Sequence, residues 1–301
     1  MSNTKKLIAV VGATGQQGGA VARALQASGR FKVRALTRNP AKHPQLADEV
    51  VLADLDRPET LKAAFAGAHG VFLVTNFWEP GADERKQALA AVHAAKVAGV
   101  QHFIWSTLPN VETISRGKLD VPHFTDKAKI DRIVREAGFA HHTFVIAPFF
   151  YQNLLGVMAP QKQADGAVGW ALPLDPEQRV IHMGDITELG HIVAGAFAQP
   201  ELAGNGEHLP LVGDFLSFNE VVATLNRLGH KFSFKQVPQE VFAGWFPGAK
   251  EVAEMLAYFE AHTYLGSDSR GAIALANKVA GRQPTKFAAW ARTNFAIPAT
   301  A

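Results

Sequence analysis

Residues 7–18 have the sequence LIAVVGATGQQG, in which an apolar run leads into glycines at positions 12, 15 and 18. The run predicts a buried strand, and residues 19–28 predict the helix that follows it. In such a loop the first glycine allows a tight turn, the second lets the backbone approach a pyrophosphate, and the third lets the helix pack on the strand. The helix N-terminus also offers unpaired N–H groups to the anion. We therefore predict a dinucleotide-binding loop, with a ligand-free turn as the alternative.

The next predicted strand, residues 32–37, is followed by a basic residue where many dinucleotide sites carry an acidic one. Arg38 stands twenty residues after Gly18, and Lys42 lies close behind it. Asp or Glu at this place accepts hydrogen bonds from the ribose of NAD, whereas arginine suits the 2′-phosphate of NADP. We therefore predict NADP (NADPH) as the cofactor. A solvated surface arginine is the alternative.

Short apolar runs alternate with helical patterns through the first half of the chain. The runs that predict strands are residues 7–11, 32–37, 50–52, 71–75, 103–106 and 143–146. This alternation is typical of an α/β fold, a doubly wound parallel sheet (Rossmann) covered by helices on both faces.

After Pro148 the clean alternation stops. We predict a Rossmann domain over residues 1–155, onto which the strand and helix around 180–200 pack back. A smaller, closely packed C-terminal α+β lobe is predicted over residues 156–301, with short strands near 166–170 and 208–212 and mostly helix towards its end.

Composition excludes several classes of protein. With 48% hydrophobic and 19% charged residues, the chain can bury a large core, and disordered or collagen-like structures are excluded. The absence of cysteine excludes disulfide scaffolds, thiolate metal sites and cysteine nucleophiles, and a cytoplasmic location is expected. No segment has the pattern of a signal peptide or a membrane-spanning helix.

Charge is uneven along the chain. The net charge is +3, and residues 1–50 hold eight Lys and Arg against two acidic residues. Because these charges are spread over several elements and no helix-turn-helix or RNA-binding motif accompanies them, we do not expect nucleic acid as a partner. His141 and His142 lack a third ligand at metal spacing, so no metal site is predicted. A homodimer is compatible with the sequence, but no coiled-coil pattern requires one.

Taken as ordered blocks, the chain resembles the NmrA-like family, an atypical branch of the short-chain dehydrogenase/reductases. The blocks are GATGQQG, ALTRNPAK, ADLDRPETLKAAFAG, GVFLVTNFW, HFIWSTLPN, VPHFTDKAKID and PFFYQNLL. They span roughly residues 6–230, and the helical tail matches more loosely. The order of the blocks is more specific than any one of them.

The resemblance implies an NADP site built at the carboxyl ends of the strands, where open α/β sheets bind ligands. The implied contacts are Gly12, Ala13, Thr14, Gly15, Gln16, Gln17, Gly18, Arg38, Lys42, Asp54, Leu55, Thr75, Asn76, Phe77, Lys127, Phe150, Tyr151, Gln152 and Asn153. Asp54 and Leu55 would flank the adenine, and Lys127 would reach the nicotinamide ribose. Residues 150–153 would close over the nicotinamide. For Asp54, the alternative is a cap on the following helix.

The candidate catalytic residues are Lys127 and His123. Ordinary short-chain reductases use Tyr-x-x-x-Lys, and here histidine stands at the tyrosine position. If a helix starts near Pro122, both side chains share the face towards the cofactor. Imidazole can donate a proton near neutral pH, and a hydrogen-bonding or gating role is the alternative. Ser106, at the end of the fifth strand, either positions a substrate or makes a capping or turn hydrogen bond.

Two functions compete. The first is an NADPH-dependent reductase acting on a small aromatic, quinone or dye-like acceptor, as the resemblance implies for enzymes of the family. The second is a non-catalytic NADPH/NADP redox sensor that acts on a regulatory protein partner. An isoflavone-reductase-like enzyme with Lys127 as base is a third reading. An open pocket above the nicotinamide would favour an enzyme, and aromatic side chains from residues 149–153 or 242–246 blocking it would favour the sensor.

Overall fold

The computed structural model describes residues 5–295. Residues 1–4 and 296–301, at the outer ends of the two predicted domains, lie outside the described residues. The elements of the first half are β1 (Lys6–Val10), α1 (Gln16–Ala27), β2 (Phe31–Thr37), β3 (Glu49–Leu52), α2 (Leu61–Phe65), β4 (Gly70–Leu73), α3 (Glu84–Val97), β5 (His102–Thr107), α4 (Val111–Ser115), α5 (Pro122–Glu136) and β6 (His141–Ile146). Short 3₁₀ turns at Pro40–Lys42 and Pro58–Thr60 follow β2 and β3.

The second half alternates less regularly. Its elements are β7 (Phe149–Phe150), β8 (Gln161–Lys162), β9 (Val168–Leu172), β10 (Ile181–Gly184), α6 (Leu189–Ala198), α7 (Pro200–Ala203), β11 (Asn205–Pro210), β12 (Asp214–Leu216), α8 (Phe218–Arg227), β13 (Phe232–Gln236), α9 (Gln239–Phe242), α10 (Ala249–His262), α11 (Arg270–Ala280) and α12 (Phe287–Asn294). Further 3₁₀ turns lie at Tyr151–Leu155 and Ile186–Glu188.

A seven-stranded parallel sheet with the order β11-β6-β5-β4-β1-β2-β3 forms the centre of the molecule. Apolar side chains of α1 and α6 cover one face, and those of α3 and α5 cover the other. Strands buried on both faces read as continuous apolar runs, which is why β4 and β5 are buried at every residue. The predicted doubly wound α/β fold is confirmed. Strand order reverses at β1, so the loop at residues 12–18 sits where such sheets bind ligands.

The second half of the chain returns to the central sheet. β11 pairs with β6 at its edge, and α6 packs against α1 so closely that a Cβ at Gly190 would lie 2.3 Å from the carbonyl oxygen of Ala20. α11 approaches α6 in the same way, because a Cβ at Gly195 would lie 2.0 Å from the carbonyl oxygen of Val279. The helix predicted to pack back does so as α6, but the strand predicted near 180 does not, because β10 pairs with β7 and β12 in a separate sheet. The strand that joins the central sheet is β11, which the sequence predicts to belong to the lobe. The two parts of the chain are thus interleaved, and the division at residue 155 stays a prediction.

The remaining elements form the C-terminal α+β lobe. It contains two three-stranded sheets, β12-β10-β7 and β13-β9-β8, and packs its helices around a separate apolar core. Aromatic side chains dominate that core: Tyr151, Phe218, Tyr258, Phe259 and Phe287 are fully buried. Within the described part of the chain, none of the helices has both the length and the apolar character needed to cross a membrane.

Candidate functional site

The glycine loop joins β1 to α1 in the geometry that the sequence predicts. Gly12 has φ +68°, in the left-handed region that side chains disfavour, and a Cβ at Gly18 would lie 2.2 Å from the carbonyl oxygen of Gly12. The fold itself therefore requires these two glycines. Gly15 is different, because a Cβ there would meet only the Gly12 carbonyl, at 3.4 Å. Glycine at position 15 keeps the exposed surface of the loop open to an approaching ligand.

The N-terminus of α1 is left without a side-chain cap. Gly15 is the N-cap residue, and Thr14 and Gln16 beside it are exposed, so the first N–H groups of the helix face outward. Ala13 is buried in the core and can offer a ligand only its backbone. Gln17 accepts a 2.6 Å hydrogen bond from the Ser106 hydroxyl, which ties the loop to the end of β5. This cradle fits a pyrophosphate.

Arg38 is exposed directly after β2 and forms an ion pair with Glu79, which lies in the loop after β4. The charge and hydrogen bond of Glu79 raise the pKa of Arg38. Lys42 is exposed in the next turn, and no ion pair within residues 5–295 engages it. Two cations thus stand where the sequence predicts a 2′-phosphate site, and one of them already has an acidic partner.

Asp54 and Leu55 follow β3. The Asp54 carboxylate accepts hydrogen bonds from the Asp56 N–H at 3.1 Å and from Arg57 Nε at 3.3 Å, so it shapes its own turn. Leu55 is half-buried and packs against the core on the α3 face. Asp54 is not the helix cap given as its alternative, because the N-cap residues of the following 3₁₀ turn and of α2 are Arg57 and Thr60. Contact of Asp54 or Leu55 with an adenine stays a prediction.

A buried polar cluster lies between β4, α3 and α5. Lys127 donates to the Thr75 hydroxyl at 3.0 Å and to the Thr75 carbonyl at 3.3 Å, and forms an ion pair with Glu84. The Thr75 hydroxyl itself donates to Glu84. Lys127 is buried, and burial lowers its pKa although the neighbouring Glu84 opposes the shift. Since lysine has three N–H donors, these partners occupy all of them.

His123 lies one helical turn before Lys127, because α5 begins at Pro122 as predicted. Its ring nitrogen Nδ1 is 2.5 Å from a carboxylate oxygen of Glu251 in the first turn of α10, and its backbone N–H donates to the same oxygen at 3.0 Å. The ring centroids of Phe77 and Trp78 lie 5.7 and 5.1 Å from that of His123. A side chain of the central domain is therefore held by the C-terminal lobe.

The loop after β4 brings these aromatic residues into place. Asn76 accepts a hydrogen bond from the Trp78 N–H at 3.1 Å with its side chain, and from the Glu79 N–H at 3.3 Å with its carbonyl. This turn presents Phe77 and Trp78 to His123 while it directs Glu79 towards Arg38. One short loop thus contacts both predicted ends of the cofactor site.

Residues 150–153, which would close over the nicotinamide, direct their side chains to different surroundings. Gln152 donates to Asp185 at 2.7 Å, and Asp185 caps the following 3₁₀ turn. Phe150 and Asn153 are half-buried. The structure does not bring the side chain of Tyr151 to the site: because residues 151–155 form a 3₁₀ turn, this side chain points into the core of the lobe.

Tyr151 is anchored there by its hydroxyl. The hydroxyl lies 3.1 Å from the Asp214 carboxylate and 3.3 Å from the carbonyl oxygen of Thr285. Burial and the nearby Asp214 raise the pKa of Tyr151. The side chain is therefore structural.

Three acidic partners at the site were not expected from the sequence: Glu79, Glu84 and Glu251. Glu84 directly follows the capping residue Asp83, where acidic residues are common at the start of a helix, so its sequence position did not mark it as buried. Glu79 comes to the site through the turn after β4, and Glu251 through the packing of α10 against α5, and no local sequence pattern marks either contact. As for metals, residues 5–295 contain no group of three or more His, Asp or Glu side chains that could hold an ion.

Comparisons with known proteins identify the family of the chain. The sequence model of the family described as "NmrA-like family" matches residues 4–291. An NmrA-like family domain-containing protein of Dictyostelium discoideum is 31% identical over 265 residues, covering 84% of this chain and 87% of that protein. An NmrA-like family domain-containing oxidoreductase of Aspergillus hancockii is 33% identical over 256 residues, covering 78% of this chain and 76% of that protein.

Among solved structures, the crystal structure of NmrA, a negative transcriptional regulator, in complex with NADP has a TM-score of 0.80 to this chain. The match covers 97% of this chain and 96% of that one at 24% identity. This likeness shows the fold.

Proposed function

Because the chain belongs to the NmrA-like family, we propose that it binds NADP(H) and passes hydride from NADPH to a small aromatic, quinone or dye-like acceptor. Membership of this NAD(P)-binding family is compatible with oxidoreductase activity, since the Aspergillus relative is named an oxidoreductase. A cytoplasmic location, a homodimer and the domain division remain predictions.

NADP binding is supported by the chain's own residues. The open surface at Gly15 and the uncapped start of α1 suit a pyrophosphate, and Arg38 with Lys42 supplies positive charge for a 2′-phosphate. An NAD site would place an acidic residue at position 38 instead. These residues would hold the cofactor with its nicotinamide towards Thr75 and α5.

The observation that carries the reductase proposal is the pair of functional side chains on one face of α5. His123 and Lys127 lie a turn apart at the carboxyl edge of the sheet, against Thr75 and the loop after β4. Lys127 would orient the nicotinamide ribose, and His123 would act at the acceptor. With NADPH bound, the cofactor would supply the hydride, so the protein needs to orient the acceptor and exclude water.

The aromatic character of the acceptor is supported by an exposed ring beside His123 and by two exposed rings in the turn that leads into α10. Trp78 is exposed beside it, and Trp245 and Phe246 are exposed immediately before α10, whose first turn contacts His123 through Glu251. Exposed aromatic side chains at a cofactor site favour flat apolar ligands.

A redox sensor remains the second candidate, and one observation favours it. The N–H donors of Lys127 are all engaged by Thr75 and Glu84, while the side chain of His123 is only 10% exposed. Both would have to be uncovered before they could touch a substrate. Such a protein would respond to the NADPH/NADP ratio through a change of shape.

The deciding experiment follows the loss of NADPH absorbance with a panel of quinones, azo dyes, triphenylmethane dyes and small aldehydes. NADPH and NADP affinities are titrated on the same preparation. We expect turnover with at least one acceptor class, lowered by Lys127→Met but unaffected by Lys62→Met, which alters an exposed lysine of α2. Tight NADPH binding without turnover on any acceptor would contradict the reductase and favour the sensor.

A further inference from the structure

Glu251 makes two hydrogen bonds to one residue of another lobe. Its Oε1 accepts from the backbone N–H of His123 at 3.0 Å and lies 2.5 Å from Nδ1 of the same residue. α5 has no side-chain cap of its own, since Val121 is the N-cap residue. Glu251 therefore caps α5 from α10, 128 residues further along the chain, and fixes the plane of the imidazole at the same time.

The charge state of this pair follows from its chemistry. Burial opposes ionisation of Glu251, but the hydrogen bonds from His123 outweigh it and lower the pKa of the carboxyl. An ionised carboxylate can only accept hydrogen bonds, so the proton between the two groups belongs on Nδ1 of His123. Nε2 is then the ring atom left to exchange a proton with a ligand, and it has no hydrogen-bond partner within residues 5–295.

No other charged side chain of the described residues bonds to this imidazole. Lys127, one turn further along α5, is paired with Glu84. Glu254, one turn further along α10, accepts from the backbone N–H of Asp120 at 3.4 Å instead. The rings of Phe77 and Trp78 lie beside the imidazole, with centroids 5.7 and 5.1 Å from its own.

We propose that Glu251 is a positioning residue that holds His123 as proton donor, so that the site prefers acceptors whose reduction consumes a proton. This inference rests on the proposed reductase function. Hydride delivered to one carbonyl oxygen of a quinone forms the first O–H bond and moves an electron pair through the ring onto the second carbonyl oxygen. That oxygen takes the proton from Nε2 and forms the second O–H bond. The imidazolium becomes neutral imidazole, still bonded through Nδ1 to Glu251, and solvent returns the proton.

Acceptor chemistry provides an internal control. A cationic triphenylmethane dye takes hydride at its central carbon and becomes neutral, so its reduction consumes no additional proton. A quinone or an azo dye requires one. Loss of a residue that acts through proton donation should therefore slow the reduction of quinones more than that of the cationic dye. Loss of a residue that only supports the fold should slow both reductions equally.

The first test compares both acceptor classes in wild type, Glu251→Gln and the matched control Glu254→Gln. For Glu251→Gln, we expect quinone kcat to fall by about tenfold or more, a fraction of what general acid catalysis contributes. Dye reduction should stay within about twofold, because the folded site is intact. Glu254→Gln should match wild type on both acceptors.

A double variant checks that Glu251 acts through His123. His123→Ala combined with Glu251→Gln should reduce quinones no more slowly than His123→Ala alone, because residues that act as one unit are not additive. Additive losses, or an equal loss on quinone and dye, would overturn the proposal and leave Glu251 as a helix cap.

The second test does not depend on turnover. Nitrogen-15 NMR of the imidazole in the cofactor-free protein should show the Nδ1–H tautomer of neutral His123, with Glu251→Ala shifting it towards the Nε2–H form and Glu254→Ala leaving it unchanged. An Nε2–H tautomer in wild type would overturn the positioning role whatever the activity. The expected tautomer without turnover on any acceptor would overturn the reductase and the proton-donor role together.

Discussion

Arg38 and Glu79 form an ion pair that bridges the carboxyl end of β1. Arg38 follows β2 and Glu79 follows β4, and these strands flank β1 on either side. The glycine loop begins at Gly12, at the carboxyl end of the strand between them. A 2′-phosphate bound at Arg38 would compete with the Glu79 carboxylate for the same guanidinium, so the pair opposes NADPH binding to the extent that it is stable.

Removal of the acidic partner should strengthen NADPH binding. We expect Glu79→Gln to bind NADPH about two- to fivefold more tightly, since exposed ion pairs contribute roughly 0.2–1 kcal/mol. NADH, which lacks the 2′-phosphate, should bind as it does to wild type. Calorimetric titration of both cofactors measures the two effects. Weaker NADPH binding, or an equal gain for NADH, would show that Glu79 does not compete with the cofactor.

Removal of the cation should do the reverse. Arg38→Ala should weaken NADPH by about tenfold or more, because a hydrogen bond to a charged group contributes about 1.5–3 kcal/mol. NADH affinity should not change, so selectivity for NADPH falls by the same factor. Arg132→Ala is the control, since Arg132 pairs with Glu136 on the exposed surface of α5. Unchanged NADPH affinity in Arg38→Ala would contradict the assignment of the 2′-phosphate site.

Local sequence patterns predict the glycine loop, the strands up to β6 and the position of Arg38 at the end of β2. Each depends on neighbours within a few residues, such as the apolar run of β1 and the glycines after it. The pairing of β11 with β6 could not be predicted, because a short strand in the second half carries no local mark of its partner. For the same reason, residue 123 could be placed on α5, but its partner Glu251 could not be identified.

The position of Tyr151 illustrates a second kind of difference. A resemblance assigns a run of adjacent residues to a site, but consecutive side chains of a 3₁₀ turn point in different directions. Here Gln152 turns to Asp185, whereas Tyr151 turns into the apolar core. Which side chain faces inward depends on the packing of the whole lobe.

Tyr151→Phe should therefore affect stability rather than cofactor binding. Loss of the hydroxyl leaves the Asp214 carboxylate with one donor fewer, and we expect the free energy of unfolding to fall by about 1–2 kcal/mol. NADPH affinity should match wild type. Urea unfolding and cofactor titration measure the two properties. A large loss of NADPH affinity without loss of stability would place this side chain in the cofactor site after all.

The buried pair of Lys127 and Glu84 should be costly to break from one side. Glu84→Gln leaves a buried ammonium group without its counter-charge, and we expect a loss of about 3–5 kcal/mol in the free energy of unfolding. Combining it with Lys127→Met should recover most of that loss, because the pair is replaced by neutral groups. Urea unfolding of the single and double variants measures the recovery. Equal losses in both would mean that Thr75, not the charge pair, dominates the cluster.

His102 should make the protein sensitive to mild acid. Its Nε2 lies 2.8 Å from the hydroxyl of Thr143, which itself donates to the carbonyl of Ala203, so the histidine donates through Nε2. Burial, assisted by the nearby His141, lowers the pKa of His102 from 6.5 to about 3. Between these values the unfolded chain binds a proton that the folded chain does not, so stability falls as pH drops below 6.5.

For one such group, the free energy of unfolding should fall by about 1.4 kcal/mol per pH unit within that window. His102→Gln keeps a donor for Thr143 but cannot be protonated, and its stability should therefore depend less steeply on pH. His93→Gln, which alters an exposed histidine of α3, should follow wild type. Urea unfolding at a series of pH values measures the slopes. Equal slopes for His102→Gln and wild type would mean that the acid sensitivity arises at another buried group, of which His182, with its pKa lowered by burial to about 4, is the next to test.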